Sequence, residues 1–116
     1  MRYYLILIFC FSLPCQAAQS LRILLTNDDG YESIGINAMR KALTQAGHDV
    51  YTIAPATQQS GASASITARG VHVTAHQDQI WSVHGRPADA VRVGLGYIMF
   101  DTPPDLVISG ANFSQN

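Results

Sequence analysis

Hydrophobic residues fall along this chain in short runs whose spacing alternates between that of a strand and that of a helix. Leu21-Arg22-Ile23-Leu24-Leu25-Thr26 is short, mostly apolar and closed by polar loop residues, the signature of a buried strand. From Ile34 to Ala46 the apolar or small positions are Ile34, Ala38, Met39, Ala42, Leu43 and Ala46, which is helical spacing. Gly47 stands where a glycine just past the last turn would end that helix. Asp49-Val50-Tyr51-Thr52-Ile53-Ala54 reads as a second strand, stopped by Pro55.

Strand, helix and strand in that order make a βαβ unit and call for a parallel sheet. A small, polar, glycine-bearing stretch over residues 56–70, ATQQSGASASITARG, predicts a long loop. Two short strands, Val71–Thr74 and Ile80–Val83, follow as an antiparallel pair or an excursion from the sheet. Pro87 suits a helix's first turn, and Ala88, Val91, Leu95, Ile98 and Met99 continue that helix. Pro103-Pro104 ends it before a last buried strand, Asp105–Ile108, closed by Ser109-Gly110. The predicted fold class is α/β, a Rossmann-like, doubly wound, mainly parallel sheet. No helix follows the last strand to cover it, so the expectation is an incomplete sheet from the N-terminal part of a longer protein.

Residues 1–18 are set apart as a secretory signal peptide. Arg2 supplies a positive start, Leu5 to Phe11 an uninterrupted apolar run, and Pro14 with Cys15-Gln16-Ala17 a cleavage site of small residues. The apolar run is shorter than the ~20 residues of a bilayer span. Cleavage would leave no membrane anchor, and the expected location is outside the cytoplasm, in the periplasm. Both cysteines, Cys10 and Cys15, lie in this segment, so residues 19–116 hold no disulfide or thiolate chemistry. Without Arg2 the remainder carries six basic and eight acidic residues, with no basic run. That excludes the electrostatic footprint of a nucleic-acid polymer binder but leaves small phosphates open.

In open parallel sheets, ligands bind beyond the carboxyl ends of the strands. Four polar segments are predicted at that edge: Asn27-Asp28-Asp29, Ser60-Gly61, Gly85-Arg86 and Ala111-Asn112. Asp28, Asp29, Ser60 and Asn112 all offer the oxygen ligands favoured by hard divalent ions such as Mg2+ or Mn2+. A cation also removes the repulsion between two adjacent carboxylates. The alternative is that Asp28-Asp29 only caps the following helix. Thr26, Asn27 and Gly30 shape the turn that carries the pair.

The stretches RILLTNDDG, Gly35-Ile36, QSGAS with Thr67, GRPADAV and PDLVISGAN, in this order and spacing, resemble the SurE (survival protein E) family of nucleotidases. The resemblance covers nearly all of residues 19–116. It implies a metal-dependent phosphomonoesterase acting on nucleoside 5′- and 3′-monophosphates, with short polyphosphate as a further substrate. It also implies one divalent ion held by Asp28, Asp29, Ser60 and Asn112, and a homodimer or tetramer assembled through a C-terminal region. Asn116 matches a family asparagine beside the phosphate. Asn27, and the backbone around Ser60-Gly61 and Gly110-Ala111, complete the expected phosphate surroundings. Asp28 or Asp29 would also orient water or carry its proton.

The chain departs from the family at Ser33-Ile34-Gly35, usually Ala-Pro-Gly, and at Arg86, usually threonine. Arg86 reads as a solvated loop charge in preference to a phosphate contact. The family's downstream Ser-Gly-Thr segment and its assembly region are missing, and most relatives lack a leader and work in the cytoplasm. An inactive fragment and a non-catalytic nucleotide-binding module therefore remain alternatives, with a phospho-receiver domain a third. Against the receiver, Ser109-Gly110 stands where the acceptor aspartate belongs. His48, His72, His76 and His84 show no convergent metal spacing and read as ordinary histidines. Trp81 and Tyr97 read as core or interface.

Overall fold

The computed structural model describes Pro14, residues 18–59 and residues 68–112. Eight elements follow in order: β1 (Arg22–Thr26), α1 (Ile34–Gln45), β2 (Asp49–Pro55), β3 (His72–Ala75), β4 (Ile80–His84), α2 (Pro87–Val93), a π-helical turn (Gly94–Ile98) and β5 (Leu106–Ser109). The five strands form one sheet in the order β3-β4-β2-β1-β5. All neighbours are parallel except β3 against β4. This is the expected α/β architecture, with the antiparallel hairpin as its one excursion.

Alternation along the strands divides the core into two layers. Leu24, Ile53 and Val83 pack with Ala90 and Met99 on the α2 side. Leu25, Val50 and Ala54 pack with Ile36 on the α1 side, joined by Met39 and Leu43. Successive residues such as Leu24 and Leu25 therefore serve opposite faces, which is why β1 reads as a continuous apolar run.

The face of α1 differs from the one expected. Ile34 is 74% exposed, and Ala38, Ala42 and Ala46 are also exposed, whereas Ile36 is fully buried. Ile36, Met39 and Leu43 stand three and four apart and carry the burial. Alanine is a strong helix former but buries too little surface to define a face. Gly47 closes the helix as predicted, with φ of +91°. Its N–H donates to the Thr44 carbonyl (3.0 Å) and the His48 N–H to Leu43 (3.1 Å), the two bonds of a Schellman end.

The second helix also departs from regular spacing. It stops being α-helical at Val93, and the Met99 N–H reaches back five residues to the Gly94 carbonyl (2.8 Å). The extra residue in this turn rotates Met99 into the core and leaves Leu95 exposed. Gly94 lies so close to the sheet that a Cβ there would meet the Leu24 and Ile53 side chains.

The two edge strands are β3 and β5. On β5, Leu106 and Val107 are exposed, as are Tyr97 and Phe100 nearby in sequence; Tyr97 is thus not a core residue. Trp81 does pack against the core and stacks on Tyr51, with ring centroids 5.8 Å apart. No helix among the described residues is long and apolar enough to cross a membrane. The expected leader, apart from Pro14 and Ala18, lies outside the described residues.

Candidate active site

The loop after β1 is built around Asn27. Its side chain is fully buried; its Nδ2 donates to the Gly30 carbonyl (3.0 Å) and to Ser33 Oγ (2.8 Å), and its Oδ1 accepts from the Gly30 N–H (3.2 Å). With both ends of the amide committed, the Asn27 side chain holds the turn. Gly30 takes φ of +106°, a left-handed conformation that favours glycine, and lies in ordinary contact range of the Pro55, Thr57 and Gln58 backbone. The Tyr31 N–H donates to the Pro55 carbonyl (2.9 Å), tying the loop to the end of β2.

The turn thus presents Asp28 and Asp29 at the carboxyl edge of the sheet. Helix α1 has Ser33 as its N-cap and no acidic residue in its first turn, so the aspartate pair is not a helix cap. Asp28 is half-buried, and its Oδ1 is shielded from water with no hydrogen-bond partner among the described residues. An orphaned carboxylate oxygen is costly unless a cation or donor satisfies it.

Three strand ends converge here. The Asp28 carbonyl accepts from the Gln59 N–H (2.6 Å), which brings the chain to the residue before Ser60. The Gly110 N–H donates to the Thr26 carbonyl (2.9 Å), and Gly110 then turns with φ of +128°. The following Ala111 carbonyl lies against the first turn of α1, where a Cβ on Gly35 would run into it. Asn112 follows directly and is exposed at the same edge. The Gly110 N–H is thus used to anchor this segment to β1. Ser60, Gly61, Thr67 and Asn116 lie outside the described residues.

Gly85 and Arg86 lead into α2, with Arg86 as its N-cap. The buried Asp89 accepts the Arg86 backbone N–H (2.9 Å) and pairs with Arg92 (3.3 Å). A Cβ on Gly85 would clash with Asp89, so this glycine is required by packing. Arg86 is exposed and caps the helix through its backbone, consistent with a loop charge.

Beside the aspartates, Tyr31 stacks on His76 with centroids 4.6 Å apart, and His76 Nε2 lies 2.9 Å from Ser82 Oγ. Partial burial, then the Glu32 carboxylate that accepts its hydrogen bond, hold the Tyr31 phenol above its usual value. Among the described residues no three His, Cys, Asp or Glu side chains gather as a metal site. The expected donor set does not require it, because only two of its four members are carboxylates.

Fold and edge together define a doubly wound α/β protein with an oxygen-rich acidic site at its strand ends. A family model described as Survival protein SurE matches residues 23–116. Among curated relatives, the 5′-nucleotidase SurE of Rhodopirellula baltica is 46% identical over 101 residues, covering 83% of this chain and 40% of its own length. That of Treponema pallidum is 43% identical over 99 residues, covering 83% of this chain and 53% of its own. The crystal structure of the SurE protein from Aquifex aeolicus superposes with a TM-score of 0.74 at 40% identity, over 82% of this chain and 39% of that one. The chain belongs to the SurE family. It spans about 40% of the length of most curated relatives it matches.

Proposed function

We propose that this chain forms the catalytic N-terminal part of a metal-dependent phosphomonoesterase that releases phosphate from nucleoside 5′- and 3′-monophosphates, and from short polyphosphate. The names of its relatives support the reaction class. The observation that carries the metal dependence is the buried, unpartnered Asp28 Oδ1 at the edge where three strand ends meet. The residues present fit a hard divalent ion, Mg2+ or Mn2+, with Asp28 and Asp29 as ligands and with Asn112 and Ser60 completing the set.

Such an ion, when bound, neutralises charge on the phosphoryl group and lowers the pKa of water. The chain's own groups do the rest. Asn27 and Gly30 fix the aspartates in place, one of which orients the attacking water and takes its proton. The backbone around Gly110-Ala111 supplies N–H donors for the phosphate oxygens, and the Gly110 N–H anchors that segment to β1. Export through residues 1–18 and assembly into a dimer or tetramer belong to the same proposal. The apolar run near the N-terminus supports the first, and exposed Tyr97, Phe100, Leu106 and Val107 support the second.

Phosphate release from AMP and GMP by the full-length protein, with Mn2+ or Mg2+, tests the reading. Activity should disappear with EDTA and fall about 100-fold or more in Asp28→Asn and Asp29→Asn. Metal-independent turnover, or unchanged activity in both variants, would refute it.

A further inference from the structure

The β3–β4 hairpin carries a polar stripe on one face. Val73 and Val83 point to the α2 layer, so their neighbours His72, Thr74, Ser82 and His84 point to the α1 side. That helix packs mainly over β2 and β1; along the stripe Ser82 is buried and Thr74 half-buried, while the two histidines at its end are exposed. His72 and His84 are direct cross-strand partners, and both are exposed. Their ring centroids lie 5.3 Å apart and the rings are inclined at 59°, not stacked as those of Tyr31 and His76 are.

We propose that His72 and His84 form a binding site for a borderline divalent transition-metal ion of the Zn2+ type, separate from the hard-oxygen site at Asp28-Asp29. The distance carries the argument. With zinc–nitrogen bonds of ~2.0–2.1 Å and a ring nitrogen about 1.2 Å from the ring centre, two imidazoles meeting at ~109° have centroids about 5.2 Å apart. The observed pair already stands at that separation. Backbone pairing across two strands holds both histidines in register, directly opposite one another.

The ligand chemistry also separates the two sites. Imidazole suits Zn2+, Cu2+ or Ni2+, whereas carboxylate, hydroxyl and amide oxygens suit Mg2+ or Mn2+. Two protein ligands leave the remaining positions to water or to a donor on a bound molecule. His84 ends β4, at the same carboxyl edge of the sheet as the aspartates, so the second ion sits at the rim of the proposed active site. His48 is excluded from the set, because its Nδ1 accepts the Leu21 N–H (3.1 Å) at the opposite edge.

The test is a Zn2+ titration of the tag-free chain, followed by calorimetry and by the histidine ring resonances. Cys10→Ser and Cys15→Ser remove thiol ligands, and Asp28→Asn with Asp29→Asn removes the oxygen site. In that background Zn2+ should still bind and should shift the His72 and His84 rings, while Mg2+ should not. His72→Gln and His84→Gln, both at exposed positions, should each weaken binding by about tenfold or more. His48→Gln should leave binding unchanged. Absence of Zn2+ binding in the background protein would overturn the proposal. So would binding unaltered by either substitution, or ring shifts confined to His48 and His76. Unchanged circular dichroism in the two variants shows that loss of binding is not loss of fold.

Discussion

Replacing Gly35 with alanine puts one methyl group between the first turn of α1 and the segment that carries Asn112. Alanine normally stabilises a helix position by ~1 kcal/mol relative to glycine. Here the new Cβ would occupy the space of the Ala111 carbonyl oxygen, a backbone atom and not the end of a flexible side chain. Overpacking of this kind costs about 1–3 kcal/mol. The Gly110 N–H is held to Thr26, so the displacement falls on Ala111 and Asn112. The expected net effect is a loss of up to ~2 kcal/mol in urea unfolding, together with about tenfold weaker Mn2+ binding as Asn112 is displaced. Gly96→Ala is the control. Nothing lies within 4 Å of a Cβ there, and its φ is not in the left-handed range, so it should be neutral or stabilising. A Gly35→Ala chain as stable as Gly96→Ala, with undiminished Mn2+ affinity, would refute the packing of the last strand end against α1.

Two further predictions rest on the same loop. Asn27→Ala removes three hydrogen bonds and strands the Gly30 N–H in a buried turn, so urea unfolding should show a loss of about 2–4 kcal/mol. The raised Tyr31 phenol should titrate above its ordinary value of about 10 when followed by ultraviolet absorbance. Above pH 10 the unfolded chain loses that proton first, so stability falls as pH rises through this window, and Tyr31→Phe should remove that part of the slope.

The strands were legible because each is a compact apolar run with a polar stop, and Leu24 and Leu25 have a buried layer on either side. Gly47 was legible because only glycine readily takes the left-handed turn a Schellman end needs. The face of α1 was not, since four of its six apparent apolar positions are Ile34 and small alanines that the sheet does not cover. The break after Val93 was also hidden: a π turn shifts register without any proline or polar residue to announce it. At the site, strand-end logic brought Asp28, Asp29 and Asn112 to one edge, but it could not assign hydrogen bonds. The Asn27 side chain and the Gly110 N–H turn out to hold the scaffold. The His72–His84 pair required the hairpin register. Its trace in the sequence is the mirrored His-Val and Val-His at the outer ends of the two short strands.

The central claim is that Asp28 and Asp29 hold a hard divalent ion at this edge. Mn2+ titration followed by electron paramagnetic resonance tests it most directly, because free and bound ion are counted separately. One Mn2+ per chain, displaced by Mg2+ and weakened about tenfold or more in both Asp28→Asn and Asp29→Asn, is the predicted result. Mn2+ binding that survives both substitutions unchanged, or no binding to the unaltered full-length protein, would contradict it.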